Sequence, residues 1–284
     1  MRWTLAGGIA YSVHMTAFDF ANSDVPVVLT MASSDSGAGS GVQADLKTFS
    51  VLNVFGTCAI TAVTAQTPRE LRKVHPVPAK VLLEQIMAVS DGFPISAAKT
   101  GMLPTRELIE TVCDADEACG IPVLVVDPRM ISSTGARLMD SDAVAVLKQR
   151  LLPLARVVTP NLHEAEILAG FPIGNLEDLR KATQVIAETY DIACVTKGGD
   201  LLGEDVVDIL FDEGEMAEFV LPRLAISDNH GAGCTFSAAL TANIAKGMLM
   251  TDAVDQAKKL VYQGLKNSWH IGKHRPMHLT ATPV

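Results

Sequence analysis

Residues 27–52 have the sequence VVLTMASSDSGAGSGVQADLKTFSVL. This stretch predicts a buried strand at 27–31, because the residues there are apolar or β-branched almost without interruption. It predicts a helix at 42–52, where apolar residues recur at helical spacing, and glycines supply the turn between the two elements. A strand followed at once by a helix is the building unit of an α/β fold.

The alternation of strand and helix continues along the chain. Further strands are predicted at 57–64, 97–99, 123–127, 156–159 and 192–196, and further helices at 81–89, 107–118, 143–152, 162–169, 176–189, 234–246 and 253–268. A late antiparallel hairpin is predicted from 206–211 and 216–221, which flank a turn rich in acidic residues and glycine. The order predicts a mostly parallel sheet with helices on both faces.

Composition narrows the possible functions. The chain has 284 residues, of which 48% are apolar, and a net charge of −9. It has no cluster of Lys and Arg, which argues against nucleic-acid binding, and no apolar run of membrane-spanning length. The five cysteines form no CxxC pair, so we expect free thiols and a cytoplasmic location. Residues 25–284 are expected to form one domain, and residues 1–24 an extension that is disordered in part.

A glycine pair precedes the predicted helix at 234–246. The sequence there is His230-Gly231-Ala232-Gly233-Cys234. Glycines let the backbone direct several N–H groups at one point, and a helix N-terminus adds partial positive charge. The motif therefore indicates an anion hole for a phosphoryl group, although an ordinary glycine-rich helix start explains the same residues equally well.

Two further motifs follow predicted strands. Asn161 and Glu164 have the spacing of a capping box, and the alternative is that they hold water around Mg²⁺ on ATP phosphates. Lys197 precedes two glycines and is able to reach a phosphate as a point charge, although most lysines are simply solvated. The Walker A pattern is absent, and Val42 occupies the position of the third glycine of a dinucleotide fingerprint.

Asp45 and Gln66 are candidates for recognising a small heterocycle. Gln43 and Asp45 lie on the first predicted helix, and Gln66 follows the second strand. An amide side chain is both donor and acceptor, which matches the ring nitrogen and exocyclic amine of an aminopyrimidine. The alternative for Gln66 is a residue of a surface turn.

The order of these motifs resembles a known family. Residues 32–48, ASSDSGAGSGVQADLKT, resemble the signature of hydroxymethylpyrimidine/phosphomethylpyrimidine kinases, which belong to the ribokinase-like superfamily. Residues 61–67 are similar to the second-strand motif of this family, KTGML at 99–103 to its KIGML, and DPRM at 127–130 to its DPVM. The motifs around Asn161, Lys197 and Cys234 also match. The resemblance extends from about residue 27 to about residue 278.

The resemblance implies a ribokinase-like three-layer sandwich and assigns roles to individual residues. Cys234 occupies the position of the catalytic base, where sugar kinases of the superfamily carry Asp. The other implied roles are an anion hole at Gly231, Ala232 and Gly233, pyrimidine binding by Asp45 and Gln66, a pocket lined by Ser40 and Met102, and an Mg-ATP side formed by Asp127, Asn161, Glu164 and Lys197. The helix N-terminus is expected to lower the pKa of Cys234.

The implied activity is ATP- and Mg²⁺-dependent phosphorylation of 4-amino-5-hydroxymethyl-2-methylpyrimidine in thiamine biosynthesis, either of this alcohol alone or of its monophosphate as well. The alternatives are a pyridoxal kinase of the same group and a non-catalytic pyrimidine-binding relative. A homodimer is expected from the resemblance.

The chain departs from the family pattern at a few positions: Ser33, Ser40, Arg129 and residues 272–276. Arg129 stands where the family has an apolar residue facing the substrate. It either engages a phosphate or turns outward to pair with an acid such as Asp140 or Glu164.

Overall fold

The computed structural model describes residues 2–4, 10–12, 24–131, 138–226 and 229–281. Within the N-terminal extension, β1 (Arg2–Thr4) and β2 (Ala10–Ser12) form a two-stranded antiparallel sheet. The disorder expected for part of this extension concerns residues outside the described ones. Within the described ranges, no helix is both long and apolar enough to cross a membrane.

The described residues contain one large sheet of nine strands. These strands are β3 (Val27–Asp35), β4 (Phe55–Thr67), β5 (Glu70–Pro76), β6 (Ile95–Thr100), β7 (Leu124–Val126), β8 (Val157–Val158), β9 (Ala193–Thr196), β10 (Asp205–Asp212) and β11 (Glu215–Pro222). Their order across the sheet is β11-β10-β9-β8-β7-β6-β3-β4-β5. The strands from β9 to β4 are parallel, and β5, β10 and β11 pair antiparallel with their neighbours.

Helices cover both faces of this sheet. They are α1 (Gly41–Val51), α2 (Ala79–Gly92), α3 (Arg106–Cys119), α4 (Ser141–Val146), α5 (Leu162–Ala169), α6 (Leu176–Tyr190), α7 (Ala232–Ala245) and α8 (Met250–Lys266). After α4 the chain continues in a wider π-helical turn over Leu147–Leu151. Successive residues of β7 alternate between the two layers: Leu124 and Val126 pack with α3 and its neighbours, whereas Val125 packs with α7 and α8.

The predicted α/β sandwich with a late hairpin is confirmed, and one strand of the large sheet was missed, as were the short strands β1 and β2 of the extension. β5 (Glu70–Pro76) adds an antiparallel edge next to β4. Its sequence is ELRKVHP, and most of its side chains are exposed or half-buried. An edge strand that buries little apolar surface carries almost no periodic signal, and charged residues protect it from pairing with other chains.

Asp116, in the last turn of α3, provides a test of the described packing. It is largely buried, and its Oδ1 has no hydrogen-bond partner in the part of the chain that the structure describes. Burial raises the pKa of Asp116 from 3.8 to about 6. The folded protein therefore holds this proton more tightly than the unfolded chain does, and stability falls as the pH rises from about 4 to about 6.

Asp116→Asn is expected to raise the free energy of unfolding by about 1–2 kcal/mol at pH 8 and to have little effect near pH 4. Urea unfolding at both pH values measures this difference. Asp24→Asn, at an exposed position, is the matched control. A gain of the same size at both pH values would contradict the buried, ionised carboxylate.

Candidate active site

Several predicted site residues lie at one edge of the sheet. Met102 follows β6, Asp127 follows β7, Asn161 follows β8 and Lys197 follows β9. These four strands are parallel neighbours, so their carboxyl ends lie side by side. This edge is where open α/β sheets bind ligands.

The glycine loop after β3 is organised by Asp35. The Asp35 carboxylate accepts hydrogen bonds from the backbone N–H groups of Gly37, Gly39 and Ser40, at 2.8–3.2 Å. It also accepts one from Ser40 Oγ at 2.9 Å and one from His230 Nε2 at 3.0 Å. Burial opposes the charge on Asp35, but the hydrogen bonds from His230 and the loop outweigh it and lower the pKa of the carboxyl. Asp35 is therefore a fixed negative charge at neutral pH.

The loop before α7 packs directly on this glycine loop. Gly231 has φ +87°, and a methyl group at this position would lie 1.7 Å from the Gly39 carbonyl oxygen. A methyl group on Gly39 would in turn lie 2.6 Å from His230 Cδ2. Side chains at these positions would drive the loops apart, so glycine is required. The two loops, together with the Asp35–His230 contact, form one unit.

The first turn of α7 leaves backbone donors available. The N–H of Ala232 donates to Asn229 O at 3.0 Å, and the N–H of Thr235 donates to Gly231 O at 2.9 Å. Among the described residues, the N–H groups of Gly233 and Cys234 have no acceptor. Unpaired N–H groups at the start of a helix attract anions, so this turn has the geometry of the predicted anion hole.

Cys234 is buried in a group of charged side chains. Burial raises the pKa of its thiol, the Arg129 guanidinium lowers it in part, and the carboxylates of Asp45 and Asp127 raise it further. The expectation that the helix N-terminus lowers this pKa is therefore corrected. Loss of water around the thiolate outweighs the favourable charges.

Asp45 lies on α1 and is paired with Lys99. Its side chain is completely buried, and Oδ2 accepts hydrogen bonds from Lys99 Nζ at 2.9 Å and from Thr30 Oγ1 at 2.6 Å. Asp45 Oδ1 has no hydrogen-bond partner among the described residues. The pyrimidine contact implied for Asp45 stays a prediction, and the structure adds a buried ion pair with Lys99. Sequence reasoning missed this pair because a lysine within a strand motif is usually solvated.

The remaining predicted pocket residues have mixed environments. Gln66 is half-buried, and its Oε1 accepts a hydrogen bond from Thr64 Oγ1 at 3.2 Å, while its amide nitrogen has no partner among the described residues. Met102 is buried, and its backbone oxygen accepts from Thr61 Oγ1 at 2.6 Å. The Ser40 hydroxyl is committed to Asp35 and does not line the pocket as a free donor.

Lys197 is held in a defined turn after β9. Its Nζ lies 3.2 Å from Asp127 Oδ1, and only 14% of its side chain is exposed. A methyl group on the next residue, Gly198, would lie 2.0 Å from a backbone oxygen of β10. The Gly198 N–H donates to Asp208 Oδ1 at 2.9 Å, and Asp208 pairs with Lys258 at 2.9 Å. The turn fixes the position of the lysine, so the solvated alternative is excluded for Lys197.

Asn161 and Glu164 form the capping box of α5. Asn161 Oδ1 accepts from the Glu164 N–H at 2.9 Å, and Glu164 Oε2 accepts from the Asn161 N–H at 3.0 Å. Glu164 Oε1 accepts a further bond from the N–H of Met130 at 3.2 Å. Burial raises the pKa of Glu164 to about 7, although Lys197 opposes the rise.

Mg²⁺ fits this part of the site through water. No cluster of three His, Cys, Asp or Glu side chains able to hold a metal directly is present within the described ranges. Besides burial, the Asp127 carboxylate contributes to the raised pKa of Glu164. Mg²⁺ usually keeps several waters and takes one or two carboxylates together with phosphates. The oxygen donors present suit that style of binding.

Arg129 points into the site. It is half-buried, and a methyl group on Gly233 would lie 3.1 Å from Arg129 Nη1 and 3.5 Å from Lys197 Nζ. Arg129 forms no ion pair with Asp140 or Glu164, both of which the structure describes. The outward-facing alternative is therefore excluded.

A cleft of about 220 Å³ opens beside the first turn of α7. Lys197 and Gly233 lie at one end, and Phe236, Tyr262 and Leu265 provide apolar walls. Sequence reasoning did not find this cleft, because its walls come from β10, β11, α7 and α8 and meet only in the folded chain.

The comparisons with known proteins agree with this geometry. The family model described as phosphomethylpyrimidine kinase matches residues 35–278. The chain is 43% identical to the hydroxymethylpyrimidine/phosphomethylpyrimidine kinase of Haemophilus influenzae, over 89% of this chain and 96% of that protein. It is 40% identical to a thiamine biosynthesis bifunctional protein of Geobacter sulfurreducens, over 88% of this chain but only 51% of that protein. The chain thus spans about half the length of this bifunctional relative.

Solved structures show the same fold. The pyridoxal kinase of Staphylococcus aureus in complex with AMP-PCP and pyridoxal superposes with a TM-score of 0.83 and 35% identity, over 91% of this chain and 95% of that one. The sandwich fold, the site at the carboxyl ends of the strands and the family match point the same way. The chain therefore belongs to the phosphomethylpyrimidine kinase family and is a phosphotransferase.

Proposed function

We propose that the chain transfers the γ-phosphate of ATP to the hydroxymethyl group of 4-amino-5-hydroxymethyl-2-methylpyrimidine, and then phosphorylates the resulting monophosphate, with Mg²⁺ as the metal. The observation that carries this proposal is the first turn of α7. There the thiol of Cys234, the N–H groups of Gly233 and Cys234, which have no acceptor among the described residues, and the Lys197 ammonium lie close together. An acceptor hydroxyl beside Cys234 would face a phosphoryl group held by this turn.

Each step uses residues of the site. Cys234, as thiolate, takes the proton of the acceptor hydroxyl. The turn from Gly231 to Cys234 holds the phosphoryl group through the N–H groups of Gly233 and Cys234, and Lys197 supports its charge. Mg²⁺, when bound with ATP through water near Asp127, Asn161 and Glu164, supplies charge neutralisation on the phosphates.

The acceptor is recognised on the β3 and β4 side of the site. The unpartnered amide nitrogen of Gln66 would donate to the pyrimidine ring, and Met102 would pack against it. The hydrogen bond from the Ser40 hydroxyl to the Asp35 carboxylate keeps the glycine loop in place. Asp45 also holds Lys99.

Organisation and location form part of the same proposal. Residues 25–284 act as one kinase domain in the cytoplasm, and two copies form a homodimer. The five cysteines are free, which suits a reducing compartment. Phe55 and Phe93 stack with ring centroids 5.4 Å apart, yet both stay exposed, which supports a surface for association. Light scattering after size-exclusion chromatography measures the molar mass in solution and so tests for the dimer.

A coupled assay of ADP release tests the activity. We expect Mg²⁺-dependent turnover with the free pyrimidine alcohol and with its monophosphate, and loss of both when EDTA removes the metal. The likeness to pyridoxal kinase makes pyridoxal the alternative acceptor. Turnover of pyridoxal without turnover of the pyrimidine would contradict the proposal. Binding of the pyrimidine by calorimetry without any turnover would identify a non-catalytic binding protein.

A further inference from the structure

Three cations surround the site, and two of them have carboxylate partners. Lys99 Nζ lies 2.9 Å from Asp45 Oδ2, and Lys197 Nζ lies 3.2 Å from Asp127 Oδ1. Arg129 has no ion pair and no side-chain hydrogen bond among the described residues, although it is half-buried. Arginine stays charged, so the Arg129 guanidinium faces the site without a direct carboxylate partner among the described residues. Its charge is favoured by nearby acidic groups, above all Cys234 and Asp127.

Glu164 is one of the acids near Arg129, and its carboxylate oxygens are engaged elsewhere. Both oxygens of its carboxylate already accept backbone N–H groups, from Asn161 and from Met130. A half-buried arginine whose guanidinium donors meet no acceptor among the described residues is a binding site for an anion.

The position of Arg129 shows which anion it would meet. Nη1 of Arg129 and Nζ of Lys197 both lie next to Gly233, in the first turn of α7. The unpaired N–H groups of Gly233 and Cys234 belong to the same turn. Two cations and two backbone donors thus converge at the point where the proposed function places the phosphoryl group in transfer.

We propose that Arg129 is a catalytic residue that binds the transferred phosphoryl group, in both phosphorylation steps. The inference rests on the proposed function. In the first step the bond from the γ-phosphorus to ADP breaks and ADP leaves with the electron pair. The acceptor oxygen bonds to the phosphorus, and its proton goes to the Cys234 thiolate. In the second step a phosphate oxygen of the monophosphate is the acceptor. The guanidinium fork holds equatorial oxygens of the group in transfer each time.

Arg129→Val and Arg129→Lys separate this role from recognition of the acceptor. We expect Arg129→Val to lower kcat about 10²–10³-fold with the alcohol and with the monophosphate alike, with KM of either acceptor changed less than about threefold. Arg129→Lys should keep part of the rate, because it retains charge without the fork. Arg106→Val, on the exposed surface of α3, is the matched control, and thermal melting confirms that each variant is folded.

A binding measurement gives a second readout. Calorimetry should show that Arg129→Val weakens binding of ADP with aluminium fluoride, a mimic of the transferred group, and leaves binding of ADP alone unchanged. Wild-type kcat in Arg129→Val, or a rise confined to KM of the monophosphate, would overturn the assignment. Absence of turnover by the wild type would instead contradict the proposed function, and the aluminium fluoride measurement would still decide the role of Arg129.

Discussion

Cys234→Ala is expected to lower kcat with the pyrimidine alcohol by about 10²–10⁴-fold, because the variant has no group to take the hydroxyl proton. The same variant should lose much less activity with the monophosphate. A phosphate monoester has a second pKa of about 6, so its oxygens are ionised at pH 7.5 and need no base. Rates with both acceptors, and the Kd of ATP as a check of binding, measure the effect.

The pH dependence gives an independent test of Cys234. Burial raises the pKa of this thiol, and the base must be deprotonated to work. The value of kcat/KM for the alcohol is therefore expected to rise with pH from 7 into the alkaline range. Cys234→Asp should recover part of the rate lost in Cys234→Ala and move the rise to lower pH, since carboxyls ionise more readily. Near-normal turnover of the alcohol by Cys234→Ala would leave Cys234 as a packing residue.

Lys99→Met is expected to destabilise the fold by about 3–5 kcal/mol, because it leaves Asp45 as a completely buried carboxylate without a counter-charge. Thr30 would remain its only donor. Unfolding in urea, followed by circular dichroism, gives the free energy.

Two variants make this test specific. Lys259→Met removes a lysine from an exposed ion pair with Asp255 on α8 and should cost less than about 0.5 kcal/mol. The double variant Lys99→Met/Asp45→Leu should recover most of the loss, since apolar side chains replace both charges. A loss of less than 1 kcal/mol in Lys99→Met would show that the pair contributes no more than a surface pair.

The fold was predictable because its inner strands are buried on both faces. The first part of β3, at 27–32, and the whole of β7 and β9 have few polar residues, and such runs between helical patterns indicate a parallel sheet. β5 was not predictable, since its ELRKVHP sequence lies at an exposed edge. Periodicity reports burial, and an element that buries little does not show it.

The site was predictable where residues directly follow strands. Asp127, Asn161 and Lys197 come after β7, β8 and β9, and the sheet itself brings them together. The structure also confirms the capping box of Asn161 and Glu164. This motif was predictable because it depends on local spacing alone.

Contacts between distant segments were not predictable from spacing. Asp45 and Lys99 pair across 54 positions, and nothing local to either residue indicates a partner. The raised pKa of Cys234 likewise depends on burial that only the packed structure creates. In the sequence, Arg129 stood out only as a departure from a family pattern. The direction in which its side chain points became known from its position next to Gly233.

The contact between His230 and Asp35 joins positions 195 residues apart. During synthesis, the loop after β3 leaves the ribosome long before its partner exists, and a chain that ends before residue 230 lacks Cys234 and the first turn of α7. Assembly of the site is therefore among the late events of folding, since contacts so distant in sequence close slowly. Substrate then binds only the completed protein, and a ligand at about 100 times its Kd would stabilise it by about 2.7 kcal/mol. Nascent and truncated chains lack the complete site and gain none of this stabilisation, so substrate stabilises only the folded full-length protein.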